Sequence, residues 1–140
     1  MSENIITALR VVLLADVTLN ALVGDRVFGV ELPPAEAASM PRQCVVLKPS
    51  GGPAFEPGSY IDHAFQRVDV FSYGETPFEA EAVRDAVHDV LRTLRRGRTG
   101  STLIHWVQSA GGWASQRDAD ADWPVSFQSF QAFYALATAA

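Results

Sequence analysis

The stretch whose residue types come nearest to a metal site is Asp118-Ala-Asp-Ala-Asp122, because alternating aspartates are how a calcium-binding loop begins. Counted from Asp118, such a loop needs a glycine at its sixth position for a sharp turn and a bidentate glutamate at its twelfth. Here those positions hold Trp123 and Ser129, so an EF-hand is excluded. The expectation for Asp118, Asp120 and Asp122 is an acidic, solvated hairpin loop, with a looser oxygen-ligand site as the alternative.

No other group of residues has catalytic spacing. His63, His88 and His105 fall on separate elements without HxH or HxxxH spacing, which gives no shared metal or general-base site. The single cysteine, Cys44, cannot form an intramolecular disulfide, and its place in the apolar run Cys44-Val-Val-Leu47 reads as a small buried hydrophobe. Patterns of the GxSxG, P-loop, HExxH and GxGxxG kinds are missing from the chain. Gly51-Gly52 follows a strand, but no helix start comes next to receive a phosphate. Trp106, Trp113 and Trp123 read as core or interface anchors, since the basic groove of a base-stacking platform is missing. The residues therefore point away from an enzyme, a cofactor or a metal centre.

Charge and composition narrow the class further. A net charge of -5 over 140 residues excludes a binder that works mainly by neutralising phosphates. The only basic run, Arg92–Arg98, sits at an expected helix end, where it complements the helix dipole. With 48% hydrophobic and 19% charged residues, the chain is globular and most simply one domain over residues 1–140. No apolar run reaches the roughly 20 residues of a bilayer span. The start, MSENIITALR, lacks the order of a signal peptide. The expectation is a protein made and kept, or assembled, inside a cell, with no membrane partner.

The elements that must carry these residues follow from periodicity. Ile5, Leu9, Val12 and Leu13 form the stripe of a first helix that Ser2 or Asn4 can cap, and Asp16 starts a short helical turn ended by Val23-Gly24-Asp25. Val27, Phe28 and Val30 can form a short strand, and Ala35–Met40 is a connector with room for one helical turn. Gln43–Lys48 is a strand, followed by the Gly- and Pro-rich loop Pro49–Ser59. Ile61–Tyr73 is the next strand. Thr76-Pro77-Phe78-Glu79 then opens a long helix to Arg96, with Val83, Val87, Val90, Leu91 and Leu94 on one face. Gly97–Gly100 turns the chain, Thr102–Ser109 is a strand bent at Gly111-Gly112, Ala114–Trp123 is a polar loop, and Val125–Thr138 is a final aromatic strand.

The order α-β-β-α-β-β predicts an α+β fold, a four-stranded, mostly antiparallel sheet packed with two main helices. Alternation puts apolar groups on both faces of that sheet. Phe65, Phe71 and Tyr73 oppose Val68 and Val70, while Val125, Phe127 and Phe133 oppose Phe130, Tyr134 and Leu136. Either the first helix or a curl of the strands covers the second face, or a neighbouring subunit does.

This layout resembles the tail-terminator (tail-completion) family of long, non-contractile-tailed bacteriophages, prophages and gene-transfer agents. The likeness is carried by four stretches: the first helix running into Leu14–Phe28, the proline-led strand Pro41–Leu47, the strand and Ala/Glu/Val-rich helix of Ala64–Arg96, and the aromatic ending Trp123–Tyr134. The resemblance implies a structural virion protein that forms a hexameric ring on the head-proximal end of the tail tube, assembled in the bacterial host cytoplasm. Its implied partners are itself, the major tail-tube protein and the head–tail connector or neck protein, with DNA passing through the lumen without specific binding. On that basis Phe65, Phe71, Tyr73, Phe130 and Tyr134 are expected at a subunit or tube interface, and Asp118, Asp120 and Asp122 at the lumen. The alternatives are a head–tail joining (neck) protein of the same particle, or a small cytosolic ligand-binding domain with a pocket lined by His105, Trp106 and Trp113.

Overall fold

The computed structural model describes residues 5–51, 63–100, 102–118 and 121–135. Helix α1 (Ile5–Leu14) and helix α2 (Val17–Val23) come first, and the Asp16 carboxylate caps α2 by accepting from the Leu19 N–H at 2.8 Å. Strand β1 (Val27–Gly29), the single-turn α3 (Pro34–Ala37) and strand β2 (Cys44–Pro49) follow. Strand β3 (His63–Tyr73) leads into helix α4 (Pro77–Arg92), whose start is held by Thr76 Oγ1 accepting from the Glu79 N–H at 3.2 Å. Strands β4 (Gly97–Thr99), β5 (Thr102–Arg117) and β6 (Pro124–Ala135) complete the described residues. The expected caps Ser2 and Asn4, most of the Pro49–Ser59 loop, Asp120 and Leu136 lie outside them.

The sheet is larger than its expected four strands and it is mixed. Six strands run in the order β1-β2-β3-β6-β5-β4, and β1 pairs parallel to β2 while the other pairs are antiparallel. The difference has a local cause. Strand β4 is three residues, too short for alternation to show, so Gly97–Gly100 reads as a bare turn, while β1, expected as a short strand, joins the sheet by pairing parallel to β2. Strand β5 also runs on through Gly111-Gly112 to Arg117, where a polar loop is expected. The β6 ladder absorbs the extra residues in a register shift between Ser109 and Trp113. Conversely, α4 ends at Arg92, short of Arg96, because Thr93 Oγ1 donates back to the Asp89 carbonyl at 2.7 Å and its backbone leaves helical geometry.

The main core lies between one face of the sheet and the helices α1, α2 and α4. Ile5, Leu9, Leu13, Leu19, Val83, Val87 and Leu91 pack there on Val45, Leu47, Val68, Val70, Ile104 and Phe130. Arg10 ties α1 to the edge by donating from Nε to the Val27 carbonyl. Gly74 makes the β3–α4 turn possible: a Cβ at this position would sit 2.6 Å from the Ala80 backbone nitrogen.

The opposite face carries a second, smaller cluster. Cys44, Val46, Tyr73 and Val125 form it, with Phe28, Leu32, Met40, Phe71 and Trp123 packed around them. The chain from Leu32 to Met40 therefore covers one end of this face, and it is held down by an ion pair between the buried Glu36 and the half-buried Arg42. Glu36 accepts from Arg42 Nε at 2.6 Å, and this hydrogen bond holds its carboxyl below the usual glutamate range. Burial of Cys44 in the same cluster pushes its thiol up to about 12, which makes it a core residue rather than a nucleophile.

Candidate functional site

The β3–β6 register assembles the rest of the second face into an aromatic strip. Phe65 stands opposite Phe133 and Phe71 opposite Phe127, with ring centroids 4.6 and 5.2 Å apart. Trp106 of β5 joins both Phe65 and Phe133 at 5.6 Å. The shift in β5 register between Ile104 and Trp106 also brings His105 to 4.8 Å from the Phe133 ring. The Lys48 ammonium lies 5.2 Å above Phe71. The rings of Phe65, Trp106 and Phe133 are half-buried, largely against one another, and helices α1, α2 and α4 all pack on the other side of the sheet.

The five aromatic residues expected at an interface do not share one face. Phe65 and Phe71 belong to the strip just described. Tyr73 shares their face but is buried at its covered end, edge-on to Trp123, and this desolvation pushes its phenol up to about 12. Phe130 faces the helices and is 2% exposed, because its register partner is the core residue Val68. Tyr134 also lies on the helix side, packed against the same core, with its phenol raised by burial. Phe130 is therefore a core residue of its own subunit. Phe127 and Phe133 are the strip residues that the expected interface passed over, and Trp106, read as a core or interface anchor, joins them; only the register aligns these rings with Phe65 and Phe71.

The acidic loop closes the β5–β6 hairpin, as expected. The Asp118 carboxylate accepts from the Ala121 N–H at 3.0 Å and so serves its own turn, while Asp122 is exposed and 4.0 Å from Arg117. Among the described residues no group of three or more His, Cys, Asp or Glu side chains is placed to hold a metal ion. Nor do the tryptophans cluster around one pocket. Trp106 is in the strip, Trp123 meets Tyr73, and Trp113 lies on the helix side under Arg84.

One polar network was not legible in advance. Arg84 and His88 of α4 turn toward the sheet and meet the buried Gln128. The Gln128 Oε1 accepts from Arg84 at 3.4 Å, and its Nε2 lies 3.1 Å from Ser109 Oγ and 3.2 Å from His88 Nδ1. Beside it, between α4 and β5, opens a cavity of about 290 Å³ lined by His88, Arg92, Val107, Gln108, Ser109 and Phe130. The helix pair Ile5–Leu14 and Val17–Val23 bends by 92°, and among the described residues no single helix is long and apolar enough to cross a membrane.

The fold is thus a mixed sheet with α1, α2 and α4 on one face and an aromatic strip on the other. The chain belongs to the tail completion protein gp17 family, whose model matches residues 7–135. It is thus a structural protein of a virion tail. Among solved structures, a chain from the virion of a native gene transfer agent particle is similar with a TM-score of 0.67, at 21% identity and with 93% of each chain covered. The bacteriophage SPP1 gp17 protein has a TM-score of 0.47 at 18% identity, covering 96% of this chain and 90% of that one. No curated protein matches the sequence.

Proposed function

We propose that residues 1–140 act as one domain that assembles into a ring, a hexamer in its simplest form, on the head-proximal end of a phage-like tail tube. The ring stops further polymerisation of the tube protein and forms the joint to the head connector. Membership of the tail completion family supports this reading. The observation that carries it is the strip of Phe65, Trp106, Phe133, Phe71 and Phe127 on the face opposite α1, α2 and α4. Half-buried aromatic rings grouped on a sheet face are the composition of an interface core, and in this role they meet another subunit of the particle. The acidic loop bearing Asp118 and Asp122 suits a lumen that DNA slides through, because like charge disfavours phosphate contact.

The test is the mass of the native assembly, measured alone and with purified tube protein. A closed ring, alone or on tube ends, with tubes no longer growing once it is bound, is the expected result. A protein that stays monomeric in both conditions and leaves tube length unlimited overturns the reading. Binding to connector but never to tube would place the chain in the neck instead.

A further inference from the structure

At the start of α4, Phe78 is 83% exposed, and acidic side chains surround it in sequence: Glu75 before it, Glu79 and Glu81 after. A lone exposed ring needs no explanation. This one has a complement elsewhere on the same chain. The cavity between α4 and β5 has an apolar floor of Val107 and Phe130 and a rim carrying His88 and Arg92. At about 290 Å³ it lies at the lower edge of the sizes that small-molecule sites occupy, which is room for one large side chain. Arg92 is 62% exposed, and its ion pair among the described residues is to the exposed Asp89 at 3.5 Å, a contact easily exchanged for another carboxylate.

Phe78 cannot reach this cavity in its own subunit. It precedes His88 by ten positions on one straight helix, roughly 15 Å along the axis at 1.5 Å per residue. We propose that Phe78 of one copy seats in the α4–β5 cavity of the next. There the ring lies on Val107 and Phe130 beside the Arg92 guanidinium, and Glu75 and Glu79 of the incoming copy face His88 and Arg92. Knob and hole lie at opposite ends of α4, so the contact is head-to-tail, the type that closes into a ring. The inference rests on the ring reading and names one of its subunit contacts.

Two experiments test it. In the first, Phe78→Ala and Arg92→Glu variants are compared with wild type by native mass and by the concentration for half-assembly. Both positions are exposed, so circular dichroism should show folded proteins. Loss of an anchor at the hot-spot threshold raises that concentration at least about tenfold. Adding Glu75→Arg and Glu79→Arg to Arg92→Glu should restore assembly. In the second, Phe78→Cys and Gln108→Cys are introduced together and oxidised within the assembled protein, where buried Cys44 does not compete. A cross-linked ladder extending beyond dimer is expected. An assembled wild type whose Phe78→Ala variant keeps its mass, or whose cross-links are missing or stop at dimer, overturns this contact and leaves the ring standing. A monomeric wild type overturns the ring reading and the contact with it.

Discussion

The Arg84 guanidinium lies over the Trp113 indole, 4.2 Å from the ring centroid, and so joins the middle of α4 to the strand that leads into the acidic loop. Arg84 is otherwise buried, with its Nε lacking a partner among the described residues, and its ion pair is to the exposed Asp85. Its long stem and stacked plane, more than its charge, hold the β5 arm in place. Arg84→Met should therefore be tolerated better than Arg84→Ala, and Trp113→Ala should cost about 0.5–2 kcal/mol, the range of a cation–π contact. Urea denaturation of the three variants measures the order.

Gly74 offers a sharper contrast. The Ala80 nitrogen and the Glu79 Cβ would lie 2.6 and 2.8 Å from a new methyl group there, so Gly74→Ala must push the start of α4 away from β3. At Gly112 a Cβ would meet nothing within 4 Å. Gly74→Ala should lower the melting temperature by several degrees, the effect of roughly 1–2 kcal/mol in a chain of this size, while Gly112→Ala leaves it nearly unchanged.

Acid sensitivity should trace in part to Glu36. Its carboxyl is held below the ordinary range by the hydrogen bond from Arg42, and it is 9% exposed under the chain that covers the second cluster. A lowered folded-state value means that the stabilisation is complete above the unfolded value, about 4.3 for a glutamate. It is lost as pH falls from there through the folded value. Wild type should lose stability over that acid window, and Glu36→Gln should be less stable at neutral pH with a flatter acid limb, as chemical denaturation at a series of pH values will show.

Phe130 and Phe65 have the same side chain and opposite expected phenotypes. Phe130→Ala removes a ring from the main core and should cost about 3–5 kcal/mol, enough to unfold much of the population. Phe65→Ser removes a half-buried ring from the strip and should leave a folded protein that assembles poorly. Thermal melts and native mass, measured on both variants, separate the two roles. A Phe65→Ser protein that assembles normally would remove the strip from the interface.

Local signals were legible where a short stretch decides its own conformation. The Thr76 cap, the Asp16 cap and the stripe of Val83, Val87 and Leu91 all depend on contacts within a few residues, and the structure places each as its spacing implied. The alternation of Phe65, Phe71 and Tyr73 against Val68 and Val70 was equally plain. Arg84 and His88 were not legible, because a charged residue on a helix reads as solvated until a distant Gln128 is placed beside it.

By itself, then, the sequence determined the helix starts and their buried stripes, the strands β2, β3 and β6, and the sorting of their side chains onto two faces. These follow from backbone geometry and side-chain periods that act over a few residues. Tertiary structure alone decided that β4 forms, that β1 and β4 pair into a six-stranded sheet, and that the helices pack on the Val68 and Phe130 face. It also decided that Phe65 meets Phe133 across the ladder. Pairing and face selection join residues far apart in the chain, so no local pattern encodes them. That same choice put Phe130 on the helix side and left the rings of Phe65, Phe71, Phe127 and Phe133 on the face away from α1, α2 and α4.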